Sequence, residues 1–249
     1  VPMLPDDFLE IDAETRSWLY PIYPFKTQEE QQQFIDHFHP ANLLSRHPKA
    51  RPLITAPELA SLQSMVQRYI QAMKLSPDII VQEGVMCAWM KQTADDPKSE
   101  DPKGVEMVPA IAYCNYLDGK IINVKFRSVQ QNPITGEWSK LFCQVSPTKP
   151  CAPYGIDSIN LLRPDAQSIR QLIITEGEKD RLTLMTCGFP YVLSIANGAS
   201  TNIEESHEAF DEWIQQAGEI IICGDTDRPG RRLVKLLIEQ YQTRAKVTT

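Results

Sequence analysis

The chain is 249 residues long, room for one large domain or two small ones, and its 42% hydrophobic and 23% charged composition is that of a globular protein. No apolar run approaches the roughly 18 residues of a membrane span, the first residues lack the basic-then-apolar pattern of a signal peptide, and the net charge of −7 argues against a general nucleic-acid coat. The six cysteines are scattered without a CxxC pair, which argues against a zinc ribbon or a disulfide scaffold and fits a reducing, cytoplasmic compartment.

Residues 1–57 are rich in Pro and aromatic residues and read as an irregular leader or linker wrapped onto the body, with one helix-like segment over residues 27–38. Pro40, Pro48, Pro52 and Pro57 interrupt regular structure. His37, His39 and His47 fall here without Cys or carboxylate at ligand spacing, so they read as surface histidines. Residues 56–73 carry apolar side chains at Leu59, Leu62, Met65, Val66, Tyr69, Ile70 and Met73, the period of a helix. Ser76 and Pro77 suit the N-cap and first position of a short second helix that Gly84 ends. The polar insert at residues 93–104 reads as a mobile loop.

From Val108 the pattern changes to strands. Residues 110–116 and 121–127 flank the turn Asp118-Gly119 as a hairpin, and residues 138–145 form a third strand. Lys125 and Arg127 are two apart and project from one face. Between Val108 and Pro150 five basic residues (Lys120, Lys125, Arg127, Lys140, Lys149) meet two acidic ones (Asp118, Glu137), a local excess of +3 in an acidic chain. That excess is either a surface for a phosphate-bearing partner or a solvated strand face.

Beyond about residue 165 strands alternate with helices: strands at 171–175, 191–195 and 219–223, helices at 178–186, 204–216 and 230–241, and a fourth strand beginning at Val247. This order predicts a parallel sheet with right-handed crossovers. The fold class is therefore α/β, or α+β for the chain as a whole. A smaller helical and antiparallel-β subdomain at residues 58–165 precedes the parallel domain at 166–249.

Two of these strands end in acids. Glu176-Gly177 turns sharply from strand to helix, and Asp225 and Asp227 share one face of the next acidic strand end. Strand ends at this edge are where open α/β sheets bind ligands, and three carboxylates there suit a hard divalent cation such as Mg²⁺. Glu178 and Asp180 read as acids capping the following helix. Cys223, within an apolar strand, reads as a small buried side chain. Between the acidic strands, the small residues of Ser194-Ile195-Ala196-Asn197-Gly198-Ala199-Ser200 allow close backbone approach to a phosphate or metal. Pro229-Gly230 leads into a helix whose first turn holds Arg231 and Arg232.

Glu176-Gly177-Glu178-Lys179-Asp180 after one apolar strand, then that small-residue loop, then Gly224-Asp225-Thr226-Asp227-Arg228-Pro229-Gly230 after another, resembles the Toprim domain over residues 168–247. Bacterial-type primases, type IA and type II topoisomerases and some nucleases share that domain. The resemblance implies that Glu176 serves as general acid/base or metal ligand and that Asp225 and Asp227 bind Mg²⁺. The hairpin with Val124-Lys125-Phe126-Arg127, followed by Pro153-Tyr154-Gly155-Ile156-Asp157, resembles the primase half of phage-type primase–helicases, whose layout mitochondrial helicases share. By that resemblance Lys125 and Arg127 contact nucleotide phosphates or template, with Asn197, Gly198 and Arg231 also binding nucleotide or DNA.

The implied activity is Mg²⁺- or Mn²⁺-dependent synthesis of RNA primers on single-stranded DNA from nucleoside triphosphates, with two ions held by Glu176, Asp225 and Asp227. A decayed primase-like module that only holds single-stranded DNA for a helicase is the alternative. A Toprim nuclease or topoisomerase fits less well, since there is no GxxxxGK[ST] loop and no separate domain for a Tyr nucleophile. The zinc-binding module of active primases is absent, so no structural zinc is expected. The missing initiator Met and the stop at Thr249, before a further acidic motif, suggest a piece of a longer protein with a C-terminal helicase domain. No membrane association is expected.

Overall fold

A computed structural model describes residues 11–16, 18–38, 54–92, 106–145, 152–162, 169–195, 217–243 and 246–249. Two sheets organise them: a five-stranded one in the order β1-β2-β3-β4-β5 and a four-stranded one in the order β7-β6-β8-β9.

The first sheet is antiparallel throughout: β1 (Tyr20–Pro21), β2 (Met86–Gln92), β3 (Glu106–Leu117), β4 (Lys120–Ser128) and β5 (Phe142–Gln144). Asp118 and Gly119 both adopt positive φ, 50° and 74°, which gives the β3–β4 hairpin a two-residue turn matched to strand twist. Both turn N–H groups donate to the Asp157 carboxylate, at 2.9 and 2.8 Å. The expected strand at 138–145 contracts to β5. Residues 129–141 form a loop instead, in which Asn132 Oδ1 accepts from the N–H groups of Ile134 and Thr135 and replaces ladder pairing.

Helix α1 (Ala13–Arg16) and helix α2 (Gln28–Phe38) lie N-terminal to α3 (Ala56–Ala72), whose Thr55–Glu58 capping box satisfies both end groups reciprocally. Pro57 thus opens this helix rather than breaking structure, since a first-turn Pro forfeits no helical bond. Helix α4 (Pro77–Gln82) follows; Ser76 has N-cap geometry but no side-chain cap bond, and its N–H donates to Thr186 Oγ1 at 3.0 Å. Strand alternation divides two cores across the sheet. Cys87, Ile111 and Tyr113 pack with Leu62, Val66, Tyr69 and Ile70 of α3, while Ala88, Ala110, Val124 and Phe126 pack with Ile11, Leu19 and Phe38 on the other face. Residues of the segment expected to be an irregular leader therefore supply β1 and part of a core.

The second sheet is parallel: β6 (Ile169–Thr175), β7 (Val192–Ser194), β8 (Ala217–Cys223) and β9 (Lys246–Thr248). Helix α5 (Ile156–Leu162) precedes it, α6 (Glu178–Thr186) joins β6 to β7, and α7 (Arg228–Tyr241) joins β8 to β9. Leu172, Ile174, Ile220 and Ile222 meet Leu233, Leu237 and Tyr241 of α7, together with Leu117 and Ile122 from the hairpin. The hairpin tip is therefore part of the parallel domain's core. Cys223, expected to be buried, is exposed: the inward alternation of β8 falls on Ile220 and Ile222, leaving Cys223 on the opposite face at the strand's end. The helix expected at 204–216 lies outside the described residues.

Candidate active site at the edge of the parallel sheet

The adjacent strands β6 and β8 run in register, Thr175 opposite Cys223, so their C-terminal ends deliver Glu176 and Asp225 to the same edge. Glu176 Oε2 accepts a hydrogen bond from the Asp225 N–H at 3.1 Å, tying the two acidic loops together. The turn from β8 into α7 is very tight. A Cβ on Gly230 would collide with the Asp225 backbone, and one on Gly224 would collide with the Val234 side chain, so both positions require glycine for space. Asp227 caps α7, its Oδ1 accepting from the Gly230 N–H at 2.8 Å. Arg231 folds back to donate to the Thr226 carbonyl.

The electrostatics are those of crowded like charge. Burial raises the Glu176 carboxyl, and Asp225, Asp227 and Asp180 raise it further, against the lowering effect of the Asp225 N–H. Yet among the described residues no three His, Cys, Asp or Glu side chains group closely enough to hold a metal. The three predicted ligands come to one edge but form no closed cage, and Glu176 Oε2 and Asp227 Oδ1 each accept from a backbone N–H group. All three are hard oxygen donors with at least one oxygen outside those bonds. That donor set fits Mg²⁺, which ordinarily takes one or two carboxylates and completes its shell with water and phosphate.

Lys125 and Arg127 do share a face of β4, and Lys125 reaches the parallel domain rather than open solvent. Lys125 Nζ lies 2.9 and 3.2 Å from the two Glu178 oxygens and 5.5 Å from the centre of the Phe142 ring. Its side chain is 20% exposed and that of Glu178 only 6%. Glu178 is therefore not a helix cap: Gly177 occupies that position without a side-chain bond, and Glu178 is a buried ion-pair partner. Burial raises its carboxyl while Lys125 pulls it down. Arg127 Nε is buried without a hydrogen-bond partner among the described residues, as is the Tyr113 hydroxyl. Asn197 and Gly198 lie outside the described residues.

A second cross-domain pair escapes sequence reasoning. Arg181, fully buried in α6, donates to Glu83 Oε2 at 2.6 Å and through Nε to the Val192 carbonyl at 2.7 Å, and Ser158 Oγ donates to Glu83 at 2.7 Å. The signal is present in hindsight: Glu178, Arg181, Leu182 and Met185 have the i, i+3, i+4, i+7 spacing of a buried helix face, and two of the four are charged. Charges at core positions imply partners.

This geometry defines a Toprim-type fold, and comparison with known proteins agrees. Residues 171–248 match the Toprim domain family. Among solved structures, the primase fragment of the bacteriophage T7 primase-helicase superposes with a TM-score of 0.50 at 22% identity, covering 72% of this chain and 63% of that one. The Arabidopsis thaliana primase homolog protein is 27% identical over 140 residues, 51% of this chain and 36% of its own length. The Arabidopsis thaliana Twinkle homolog protein, chloroplastic/mitochondrial, is 25% identical over 191 residues, 72% of this chain and 22% of its own. The chain thus spans about a third or less of these curated relatives. Among the described residues no helix is long and apolar enough to cross a membrane.

Proposed function

We propose that the chain is the core of a DNA primase that makes short RNA primers on single-stranded DNA, working beside a helicase domain in a primase–helicase. The observation that carries this reading is the joining of the two acidic strand ends by the Asp225 N–H to Glu176 bond. On this reading Glu176, Asp225 and Asp227 would hold two Mg²⁺ or Mn²⁺ ions, whose charge when bound would offset that of the triphosphate and of the attacking 3′-oxygen. Glu176 has a second carboxylate oxygen, which would accept a proton from that hydroxyl. Lys125 and Arg127 supply positive charge to phosphates, Lys125 after leaving Glu178. Asn197, Gly198 and Arg231 bring further N–H donors to nucleotide or DNA. The five described cysteines are free, in keeping with a reducing compartment such as the cytoplasm.

A second reading is a module that holds single-stranded DNA without polymerising. The Lys125–Glu178 pair favours it, because a lysine already neutralised beside the site is withheld from an incoming triphosphate, whereas a strand can be held by cations elsewhere. Radiolabelled nucleotide triphosphates, Mg²⁺ and a single-stranded template library distinguish the two. Primase activity predicts short oligoribonucleotides whose yield falls about a hundredfold or more in Asp225→Ala. No product on any template, with Mg²⁺ binding by calorimetry no tighter than in Asp225→Ala, sinks the polymerase reading.

A further inference from the structure

Helix α7 distributes its charge in a way that the fold alone does not require. Leu233, Leu237 and Tyr241 are buried against the parallel sheet. Arg228, Arg231, Arg232 and Lys235 are all exposed, and their spacing of 3, 1 and 3 places them within about 100° of the helix surface. No acidic residue interrupts the stripe before Glu239, which pairs loosely with Lys235 at 3.7 Å. Arg228 and Arg232 have no ion pair among the described residues.

This arrangement is unfavourable for an isolated helix. After its Asp227 cap the first turn contains no acid and begins with arginine, whereas the N-terminal end of a helix dipole disfavours cations by about 0.3–1 kcal/mol each, a penalty left to the single Asp227 carboxylate to offset. Arg228 and Arg232, like Arg231 and Lys235, are like charges at i, i+4, a further penalty of about 0.2–0.5 kcal/mol per pair. An anionic partner would convert both penalties into attraction, and in a chain of net charge −7 the stripe is a local exception. From Arg228 to Lys235 the helix rises about 10 Å, enough for its cations to meet successive phosphates of one strand. Its first turn begins at the loop that carries Asp225 and Asp227.

We propose that the exposed face of α7 is a track for the phosphate backbone of single-stranded DNA, leading the template past the carboxylate edge. This deepens the primase reading in naming the strand as template, but the binding itself requires neither nucleotide nor metal. The test is fluorescence anisotropy with a labelled oligothymidylate of about 20 nucleotides, titrated across about 50–300 mM salt. For the triple variant Arg228→Gln/Arg232→Gln/Lys235→Gln the slope of log K against log salt should fall by about 2, since each lost phosphate contact removes about 0.7. Affinity at the lowest salt should drop at least about tenfold, and Arg228→Lys/Arg232→Lys should restore most of the slope. The melting temperature of the triple variant should match or exceed wild type, because repulsion along the helix is relieved, which separates lost binding from lost folding. An unchanged slope, no binding by wild type, or a loss seen with oligouridylate alone overturns the proposal. Priming with an unchanged slope rejects the track and leaves the primase reading intact. A reduced slope without primer synthesis does the reverse.

Discussion

Burial and the neighbouring carboxylates of Asp225, Asp227 and Asp180 raise the Glu176 carboxyl, despite the N–H it accepts. A carboxyl raised in the fold holds its proton more tightly there than in the unfolded chain. Its contribution to stability is present below the unfolded pKa, about 4.3, and is lost as pH climbs through the raised folded value. Glu176→Gln, which cannot ionise, should therefore melt above wild type at about pH 7, with the gap closing by about pH 4 in scans across that range. A gap independent of pH would mean that neither burial nor like-charge crowding raises Glu176. The acids themselves are legible in the sequence because each ends an apolar strand. Lys125 and Arg127 are legible as same-face cations from the period of two. Their partner is not: Glu178 lies 53 residues further on, and strand periodicity says nothing about which helix end will cover a face.

Among the elements, those with an unambiguous pattern stand out in sequence, and those defined by their neighbours do not. The strands β6 and β8 are apolar runs followed by acids, and α3 has a six-residue apolar stripe that Met73 extends at its C-cap. Strand β2, with its Met-Cys-Ala-Trp-Met-Lys-Gln sequence, has no alternation to announce it; it forms because β1 and β3 pair with it on either side. Helix α6 owes its position to charged residues at core sites. Gly155 has φ +94°, and a Cβ there would overlap the Arg181 guanidinium. Gly155→Ala should therefore cost about 3 kcal/mol, from backbone strain of about 1–3 kcal/mol and steric overpacking of similar size. Urea denaturation measures it, and a loss below about 1 kcal/mol would show that Arg181 can shift at little cost.

At the scale of the molecule, two sheets of opposite type share their packing. Leu117 and Ile122 of the antiparallel hairpin enter the core of the parallel domain, and Leu182 of the parallel domain enters the core beneath α3. The change from antiparallel to parallel architecture is legible in the order of elements. The interlocking of the two is not, because it depends on long-range partners such as Tyr154 and Ser194, which exchange backbone hydrogen bonds at 2.8 and 3.1 Å. The Glu83–Arg181 pair also governs how the chain comes apart. Separating the sheets would strand a guanidinium and a carboxylate in surroundings made for both, so neither sheet has a low-energy route to melting alone. Heat or urea should dissolve the described fold in a single transition, reported identically by tryptophan fluorescence and far-ultraviolet circular dichroism. Glu83→Ala leaves the Arg181 charge buried and uncompensated, at a cost of about 3–5 kcal/mol. The two spectroscopic curves should then part, the mark of two halves losing their order at different temperatures.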